Sequence, residues 1–357
     1  MGRWPRLILH LDRIAENASR TVEFCASAGV SVVAVSKGVC ADLRVARAMI
    51  DGGCVSFADS RLQNLVRLKQ KFPDVPRILL RVPMKSELED AVRFADSSLV
   101  SMTESILALE ARCREMATTH KTILMLDLGD RREGINPDEL EAFAEVFKKT
   151  PRVRLEGVGV NFGCFAGVLP NASALRHLCL ARETLEKELG YSIPICSGGS
   201  TSSLILIERG ELPAGVGQLR IGEAILLGQD VTWQRSIPWL RQDTIRLEAE
   251  IVETRFKPSL PQGETGRDAF GKLRTFEDAG LRRRAIVALG RQDAPVDDLV
   301  PLAPGLKVLG GSSDHTILDV TDAGETFPWG DPLSFSVNYA AMLGLMTSPY
   351  VFKEYVT

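Results

Sequence analysis

The sequence predicts an α/β fold in which a (β/α)8 TIM barrel is followed by a smaller, mainly β domain. Up to about residue 230, short aliphatic runs alternate with segments whose apolar residues recur every three or four positions. The runs are nearly continuous in apolar residues, which is typical of parallel strands covered on both faces. Eight such strand–helix units can be counted, which favours a closed barrel over an open doubly wound sheet.

The barrel is predicted to occupy residues 13–238, with its eight strands in the apolar runs. In chain order these are Val30–Val35, Cys54–Ala58, Arg77–Val82, Ser98–Ser101, Thr122–Leu128, Arg154–Val160, Ile193–Cys196 and Gly217–Ile221. Segments of helical period lie between them, for example Asp42–Asp51, Ser60–Lys71, Pro137–Lys149 and Ala172–Leu189. Pro137, directly behind Asn136, marks a helix start because proline suits the first helical position.

The pattern of apolar residues changes after Trp239, from alternating strands and helices to mostly strands. Residues 239–357 are therefore predicted to form the second domain, together with an N-terminal strand within residues 1–12. Its predicted strands are Asp243–Thr254, Arg284–Leu289, Lys307–Leu309, His315–Val320 and Pro332–Asn338, followed by a helical pattern at Tyr339–Met346. Residues 257–284 are rich in glycine, proline and charge, which indicates a long irregular excursion of a kind that is often functional.

The composition of the chain limits its partners. Its 357 residues carry a formal net charge of -3, so charge favours neither nucleic acid nor an anionic membrane as a partner. No apolar stretch is long enough to span a bilayer, and the N-terminus lacks the features of a signal peptide. The seven cysteines are odd in number and form no C-x-x-C pair, which argues against disulfides and a thiolate zinc site. We therefore expect a cytoplasmic protein without a bound metal.

Polar residues follow the predicted barrel strands at the edge where such barrels place their chemistry. These residues are Lys37, Asp59, Asp127, Arg132, Asn161, the run Ser197–Ser203, and Arg220. Their convergence on one rim predicts a reactive site there.

The run Ser197–Ser203 contains two glycines and five hydroxyl residues where a strand leads into a helix. Small residues let the backbone approach an anion, and hydroxyl and N–H groups donate to its oxygens. A helix-capping turn is the competing interpretation. The position after the seventh strand, beside the Arg220 turn after the eighth, favours a phosphate site.

Lys37 ends the first barrel strand. Desolvation and nearby cations lower the pKa of such an amine, which leaves it free to attack an aldehyde. A lysine, a phosphate site and Arg220 on one rim together predict pyridoxal phosphate (PLP), held by Lys37 as a Schiff base.

Several segments resemble the alanine racemase family of fold-type III PLP enzymes. Val33-Ala-Val-Ser-Lys37-Gly resembles the family's lysine motif, Leu126-Asp-Leu-Gly-Asp-Arg-Arg132-Glu-Gly134 its D-x-G-x-x-R-x-G segment, and Leu219-Arg220-Ile-Gly222 its R-x-G turn. Leu155-Glu-Gly-Val, Ser312-Ser-Asp314 and Val337-Asn-Tyr339 are similar to further family positions. Within the family, Asn161–Pro170, Ala288–Asp293 and Met346–Tyr350 look most like the ornithine racemase branch.

The resemblance implies a role for each matching residue. Lys37 would hold PLP and act as acid or base on one face of the α-carbon. Arg220 would face the pyridine nitrogen, and Arg132 would lie near the cofactor oxygen or grip the substrate carboxylate. The other implied cofactor-binding residues are Asn161, Ser197, Ser200, Thr201, Gly222 and Tyr339. The family also implies a homodimer in which each β domain faces the other subunit's barrel.

The chain departs from alanine racemase at several positions. Arg291, in Gly290-Arg-Gln-Asp293, stands where the family has its second catalytic residue, a tyrosine. A racemase needs an acid or base on each face of the α-carbon, so Cys164, His315 and Tyr339 become candidates. Asn161 replaces a ring-stacking histidine, and Ala41 replaces a phosphate-binding tyrosine.

A diamino acid would also need a carboxylate for its distal ammonium. Asp130, Glu133, Asp293 and Asp314 are the acids near predicted site loops, and our hypothesis favours Asp293 or Asp314, donated across a dimer interface. The sequence thus predicts a racemase of ornithine or another diamino acid. The alternatives are a racemase of small neutral amino acids such as alanine or serine, another PLP reaction, and a non-catalytic PLP-binding protein.

Overall fold

The computed structural model describes residues 4–357 and divides the chain into two compact units. One unit is Asp12–Gln242, and the other combines the N-terminal residues up to Leu11 with Asp243–Thr357. Residues 1–3 of the predicted N-terminal strand lie outside the described residues. No helix of residues 4–357 is long and apolar enough to cross a membrane.

The chain enters its first sheet through β1 (Arg6–His10) and continues into helix α1 (Leu11–Ser27). The Asp12–Gln242 unit then forms a closed barrel of eight parallel strands, which confirms the predicted TIM barrel. These strands are β2 (Ser31–Val35), β3 (Phe57–Asp59), β4 (Arg77–Leu79), β5 (Ser97–Val100), β6 (His120–Leu126), β7 (Val153–Val160), β8 (Ile195–Ser197) and β9 (Gln218–Ile221). The barrel closes between β9 and β2, where Val33 pairs with Arg220.

Helices follow the barrel strands as crossover connections. They are α2 (Leu43–Asp51), α3 (Leu62–Lys71), α4 (Leu88–Phe94), α5 (Thr103–Glu115), α6 (Leu140–Lys148), α7 (Ala172–Leu189), α8 (Leu204–Glu208) and α9 (Glu223–Leu227). Local sequence explains several starts: the Asp42 carboxylate accepts the N–H groups of Arg44 and Val45, and Asn136 forms a capping box with Glu139. The unit ends in a small hairpin of β10 (Gln229–Asp230) and β11 (Arg235–Ser236).

Among the barrel strands, the predicted bounds differ most from the observed ones at the end of β4, which stops at Leu79 instead of Val82, and at the start of β3, where the apolar run Cys54–Ala58 predicted an earlier start. Val55 is 69% exposed in the connection that precedes β3. Only Phe57 and Ala58 of that run lie in the buried strand, because the short β3 pairs with its neighbours over just these residues and Asp59. An apolar side chain therefore did not imply a buried position here.

The second unit is built on an antiparallel sheet, with one helix, α10 (Tyr339–Thr347). Besides β1, its strands are β12 (Ile245–Pro258), β13 (Leu281–Val287), β14 (Val300–Pro301), β15 (Lys307–Gly311), β16 (Thr316–Asp319), β17 (Pro332–Ser336) and β18 (Phe352–Val356). The sheet order is β14-β17-β12-β13-β16-β15, and β1 pairs antiparallel with β12 and parallel with β18. The sequence pattern did not predict β14 or β18.

The irregular excursion is shorter than predicted, because β12 runs on to Pro258 and β13 begins at Leu281. Its turn is organised by the Asp268 carboxylate, which accepts the N–H groups of Phe270 and Lys272 at 2.9 Å each and the Nε of Arg274 at 2.9 Å. Arg274 then donates to the carbonyl oxygen of Leu309 at 3.1 Å, so the excursion is tied to β15 of the same unit.

Candidate active site

Lys37 opens a single 3-10 turn directly after β2 and Ser36. The Ser36 hydroxyl donates to the Asp59 carboxylate at 2.7 Å, and both residues are fully buried. Burial lowers the pKa of the Lys37 amine below its usual value, and the positive charges of Arg132 and Arg220 lower it further. Cys164 and Asp59 oppose this shift. The result is an amine that loses its proton more easily than a surface lysine.

The backbone after Lys37 turns sharply. Cys40 and Ala41 have φ values of 51° and 48°, in the left-handed region that favours glycine. The Ala41 N–H donates to the Ser36 carbonyl at 3.0 Å, which closes this turn on the residue before Lys37. The surrounding hydrogen bonds therefore hold a conformation that side chains disfavour, beside the reactive amine.

Arg220 lies in β9 with only 4% of its surface exposed. Its guanidinium donates to the Ser197 hydroxyl, to the carbonyl oxygen of Val160 at 2.8 Å and to the Asn161 side-chain oxygen at 3.0 Å. Burial lowers the pKa of Arg220 to about 10. It still remains a cation at neutral pH. A Cβ at Gly159 would come within 3.4 Å of the Arg220 Nη1, so this glycine leaves room for the guanidinium.

Arg132 and Asn161 meet at one carboxylate, that of Glu133. The Glu133 Oε1 accepts from Arg132 Nη2 at 2.6 Å and from Asn161 Nδ2 at 2.7 Å, and Arg132 Nε donates to Oε2. Because Asn161 also bonds Arg220, the chain of contacts reaches from β6's loop to β9. The sequence analysis named Glu133 only as an acid near the predicted site loops. Its position next to Arg132 in the sequence was a signal for the Glu133–Arg132 ion pair.

Ser197 ends β8, and the segment up to Ser203, which the sequence predicts as an anion site, continues through a 3-10 turn into α8. Gly199 has φ +110°, and a Cβ there would lie 2.8 Å from the Ser203 Oγ. The Ala224 N–H donates to the Thr201 hydroxyl at 3.2 Å, which joins this segment to the Gly222 turn after β9. The hydroxyl groups of this segment, and its two glycines, which leave the backbone accessible, fit a phosphate monoester.

Cys164 follows β7 and is an exposed thiol whose Sγ lies 3.4 Å from the Phe162 carbonyl oxygen. Its charge interacts with Lys37, Arg132 and Arg220, so the thiol lies within electrostatic reach of three cations. The buried Asp130 accepts the N–H groups of Phe165 at 3.1 Å and Ala166 at 3.2 Å. Asp130 therefore anchors the segment that carries Cys164.

The remaining predicted residues belong to the C-terminal unit. His315 and Asp314 are exposed, and the Ser313 hydroxyl donates to Asp314 at 2.6 Å. Asp293 is buried and accepts a 2.6 Å hydrogen bond from the Ser348 hydroxyl. Tyr339 is half-buried at the first position of α10.

Arg291, at the position of the family tyrosine, is bound within the C-terminal unit. Its Nη2 donates to both oxygens of Asp297, at 2.9 and 2.7 Å, and its Nε donates to the carbonyl oxygen of Gly311 at 3.1 Å. The guanidinium also lies 5.2 Å from the ring centre of Phe270 in the excursion. These contacts stabilise the C-terminal unit, which explains an arginine at this position. A guanidinium is always protonated and is therefore unsuited to acid–base chemistry.

The hydrogen bond between Ser36 and Asp59 could not be predicted, because nothing in the spacing of the two residues indicated that they would meet across neighbouring strands.

Across residues 4–357, no group of three or more His, Cys, Asp or Glu side chains is arranged to hold a metal ion.

Together, the fold and this rim define a class: a (β/α)8-barrel protein with an attached β unit, carrying a depressed-pKa lysine, a buried arginine and an anion cradle on one barrel edge. Residues 9–230 match the family model of the alanine racemase N-terminal domain. The chain belongs to the alanine racemase family.

Curated relatives extend the match over almost the whole chain. The chain is 42% identical to lysine racemase of Thermotoga maritima, over 99% of this chain and 98% of that protein. It is 38% identical to ornithine racemase of Acetoanaerobium sticklandii, over 98% of this chain and 99% of that protein. Among solved structures, alanine racemase from Streptomyces lavendulae superposes with a TM-score of 0.77 at 16% identity, covering 100% of this chain and 98% of that one. That structural likeness supports the fold.

Proposed function

We propose that this chain is a PLP-dependent racemase that interconverts the L and D forms of a diamino acid, lysine or ornithine. The observation that carries the proposal is the Lys37 amine with its lowered pKa, on the same rim as the anion cradle. The two curated relatives that match over nearly the full length are a lysine and an ornithine racemase, which supports this substrate class.

The residues present fit PLP. Lys37 would bind its aldehyde carbon, and Ser197, Ser200, Thr201 and Gly222 would hold its phosphate. Arg220 would face the pyridine nitrogen, with Asn161 orienting the guanidinium. When bound, PLP withdraws electrons from the substrate α-carbon and so acidifies the α-proton.

Each side chain then has a task of its own. Lys37 Nζ takes or returns the α-proton on one face, and its lowered pKa makes the neutral amine that accepts the proton easier to form than on a surface lysine. Arg220 keeps its positive charge, and a positive charge beside the pyridine nitrogen disfavours protonation of that nitrogen. This limits side reactions. Arg132 would bind the substrate carboxylate through Nη1 and the second N–H of Nη2, since its Nε and the other N–H of Nη2 pair with Glu133.

For the opposite face, we propose Cys164 as the second acid or base. The Cys164 thiol lies near Lys37, Arg132 and Arg220, and Asp130 anchors its segment. His315 and Tyr339 are the competing candidates. In C164A, we expect racemisation to stop while one enantiomer still exchanges its α-hydrogen with deuterated solvent. The same pattern in H315A, with racemisation by C164A unaffected, would assign the role to His315.

For the distal ammonium, we propose Asp314, donated by a second subunit. The Asp293 carboxylate already accepts from Ser348 in a buried setting, whereas Asp314 is exposed. D314N should lose the preference for lysine over alanine. If D293N loses it instead, Asp293 is the recognition residue.

We propose a homodimer, which the large exposed apolar side chains of the C-terminal unit support: Phe256 and Leu281 are each 64% exposed, and Trp329 is 75% exposed. Light scattering after gel filtration tests this directly. A cytoplasmic location remains the prediction made from the cysteine content.

The decisive experiment incubates purified protein and PLP with single L-amino acids, including lysine, ornithine, arginine, alanine and serine, and separates products by chiral chromatography. D-lysine or D-ornithine should accumulate, and K37A should abolish it. If only alanine or serine is racemised, the substrate class is small neutral amino acids instead of diamino acids. Bound PLP with no D-product would favour another PLP reaction or a binding protein.

A further inference from the structure

Glu133 occupies a position in the site that the proposed chemistry does not yet use. Its Oε1 accepts one hydrogen bond from Arg132 and one from Asn161, and its Oε2 accepts a second from Arg132. The Asn161 side-chain oxygen accepts in turn from Arg220. One carboxylate thus links the two arginines, directly on one side and through an amide on the other.

The chemistry of the partners gives this chain of contacts a single direction. A guanidinium can only donate and a carboxylate can only accept, so the Asn161 oxygen must face Arg220 and its NH₂ must face Glu133. Rotating the amide by half a turn would oppose NH₂ to a guanidinium and oxygen to a carboxylate. Glu133 and Arg220 together therefore fix the orientation of Asn161, and Asn161 is one of three acceptors of a guanidinium that is almost fully buried.

The positive charges around Glu133 also require its negative charge. Arg132, Arg220 and Lys37 are three cationic groups that influence one another. Glu133 interacts favourably with both arginines. Removing its charge would leave the arginines to repel each other in a partly desolvated setting, where such repulsion is poorly screened.

We propose that Glu133 is a positioning residue that holds Arg132 ready for the substrate carboxylate and keeps Arg220 in place through Asn161. This inference rests on the proposed function, because it assigns Arg132 a substrate carboxylate. Glu133 itself touches neither substrate nor cofactor in this role.

The test compares E133Q, E133D and the control E145Q. Glu145 is also ion-paired, with Lys148 at 2.7 Å, but on the exposed face of helix α6. Four quantities are measured for each: KM and kcat for L-lysine, the dissociation constant for PLP binding to the apoprotein, and the calorimetric dissociation constant of caproate. Caproate has the chain length and carboxylate of lysine without either amine.

In E133Q, we expect KM for L-lysine and the caproate dissociation constant each to rise about tenfold or more, with a smaller change in kcat. E133D keeps the charge and should recover part of the loss, and E145Q should match the wild type. Equal KM and caproate affinity in E133Q and wild type would overturn the proposal. If E133Q fails to fold, E133D decides: wild-type kcat with raised KM supports the role, and unchanged KM refutes it.

Failure of the proposed function gives a different pattern. A wild-type protein that binds no PLP and racemises nothing contradicts the function. Caproate binding would then still report whether Glu133 prepares Arg132 for a carboxylate.

Discussion

The Ser36 hydroxyl donates a 2.7 Å hydrogen bond to the Asp59 carboxylate, and this contact joins the residue before Lys37 to the end of the neighbouring barrel strand. Asp59 also accepts from Asn64 Nδ2 and the Arg61 N–H, at 2.9 Å each. Burial raises the pKa of the Asp59 carboxyl, and these hydrogen bonds counteract the shift. The turn that carries the reactive amine is therefore held by a buried carboxylate.

Replacing Asp59 tests this support. D59A leaves buried donors of Ser36 and Asn64 unpaired, which should reduce the free energy of unfolding by about 1–3 kcal/mol. It should also slow PLP uptake by Lys37, measured by absorbance after mixing with the apoprotein. D51N is the control, since Asp51 makes only a 3.9 Å surface pair with Arg47. Uptake in D59A as fast as in D51N would contradict the role of this contact.

Asp130 should control the reactivity of Cys164. D130A removes both acceptors for the Phe165 and Ala166 N–H groups, so the segment carrying Cys164 should become mobile. We expect faster alkylation of Cys164 by iodoacetamide, followed by peptide mass spectrometry, and a lower kcat. D74N, at an exposed position, serves as the reference. An unchanged alkylation rate would show that other contacts hold this segment.

His120 should make the protein sensitive to acid. It is 3% exposed, its Nε2 lies 2.9 Å from the Ser98 Oγ, and burial lowers the pKa of its imidazole to about 4. A depressed folded-state pKa contributes stability that is present above the unfolded pKa of about 6.5 and is lost as pH falls through about 4.

Urea unfolding at pH 7 and near pH 4.5 measures this contribution. Wild type should lose about 2 kcal/mol more than H120Q between these two pH values. H177Q, which changes an exposed histidine, should behave as wild type. The same acid response in H120Q as in wild type would rule out His120 as its source.

Glu223 should have the opposite pH dependence. The pKa of its carboxyl is raised to about 7, mainly by burial; a hydrogen bond from the Val231 N–H partly offsets this shift, and the nearby Asp230 adds to it. A raised folded-state pKa means that stability is fully present below the unfolded pKa of about 4.5 and is lost as pH rises through about 7. E223Q should flatten this loss in the apoprotein, measured by thermal unfolding across that range. E211Q, at an exposed site, should leave the loss intact.

Much of the fold was predictable from the sequence because its signals are local. Barrel strands such as β7 can be recognised in the sequence as apolar runs. Helix α7 can be recognised from the regular spacing of its apolar residues. The short strands β14 and β18 were not predicted, because β14 has two residues and β18 lacks a clear alternation of buried and exposed positions. Their pairing partners, β17 and β1, define them as strands.

The sequence by itself determined the barrel, the placement of Lys37 and Arg220 at neighbouring strand ends, and the glycine- and serine-rich run of the anion cradle. Only the tertiary structure decided that Glu133 pairs with Asn161 and Ser36 with Asp59. The physical reason is that periodicity and turn chemistry act over a few residues. Contacts between side chains of separate strands depend instead on barrel register, which closes only when the whole sheet has formed.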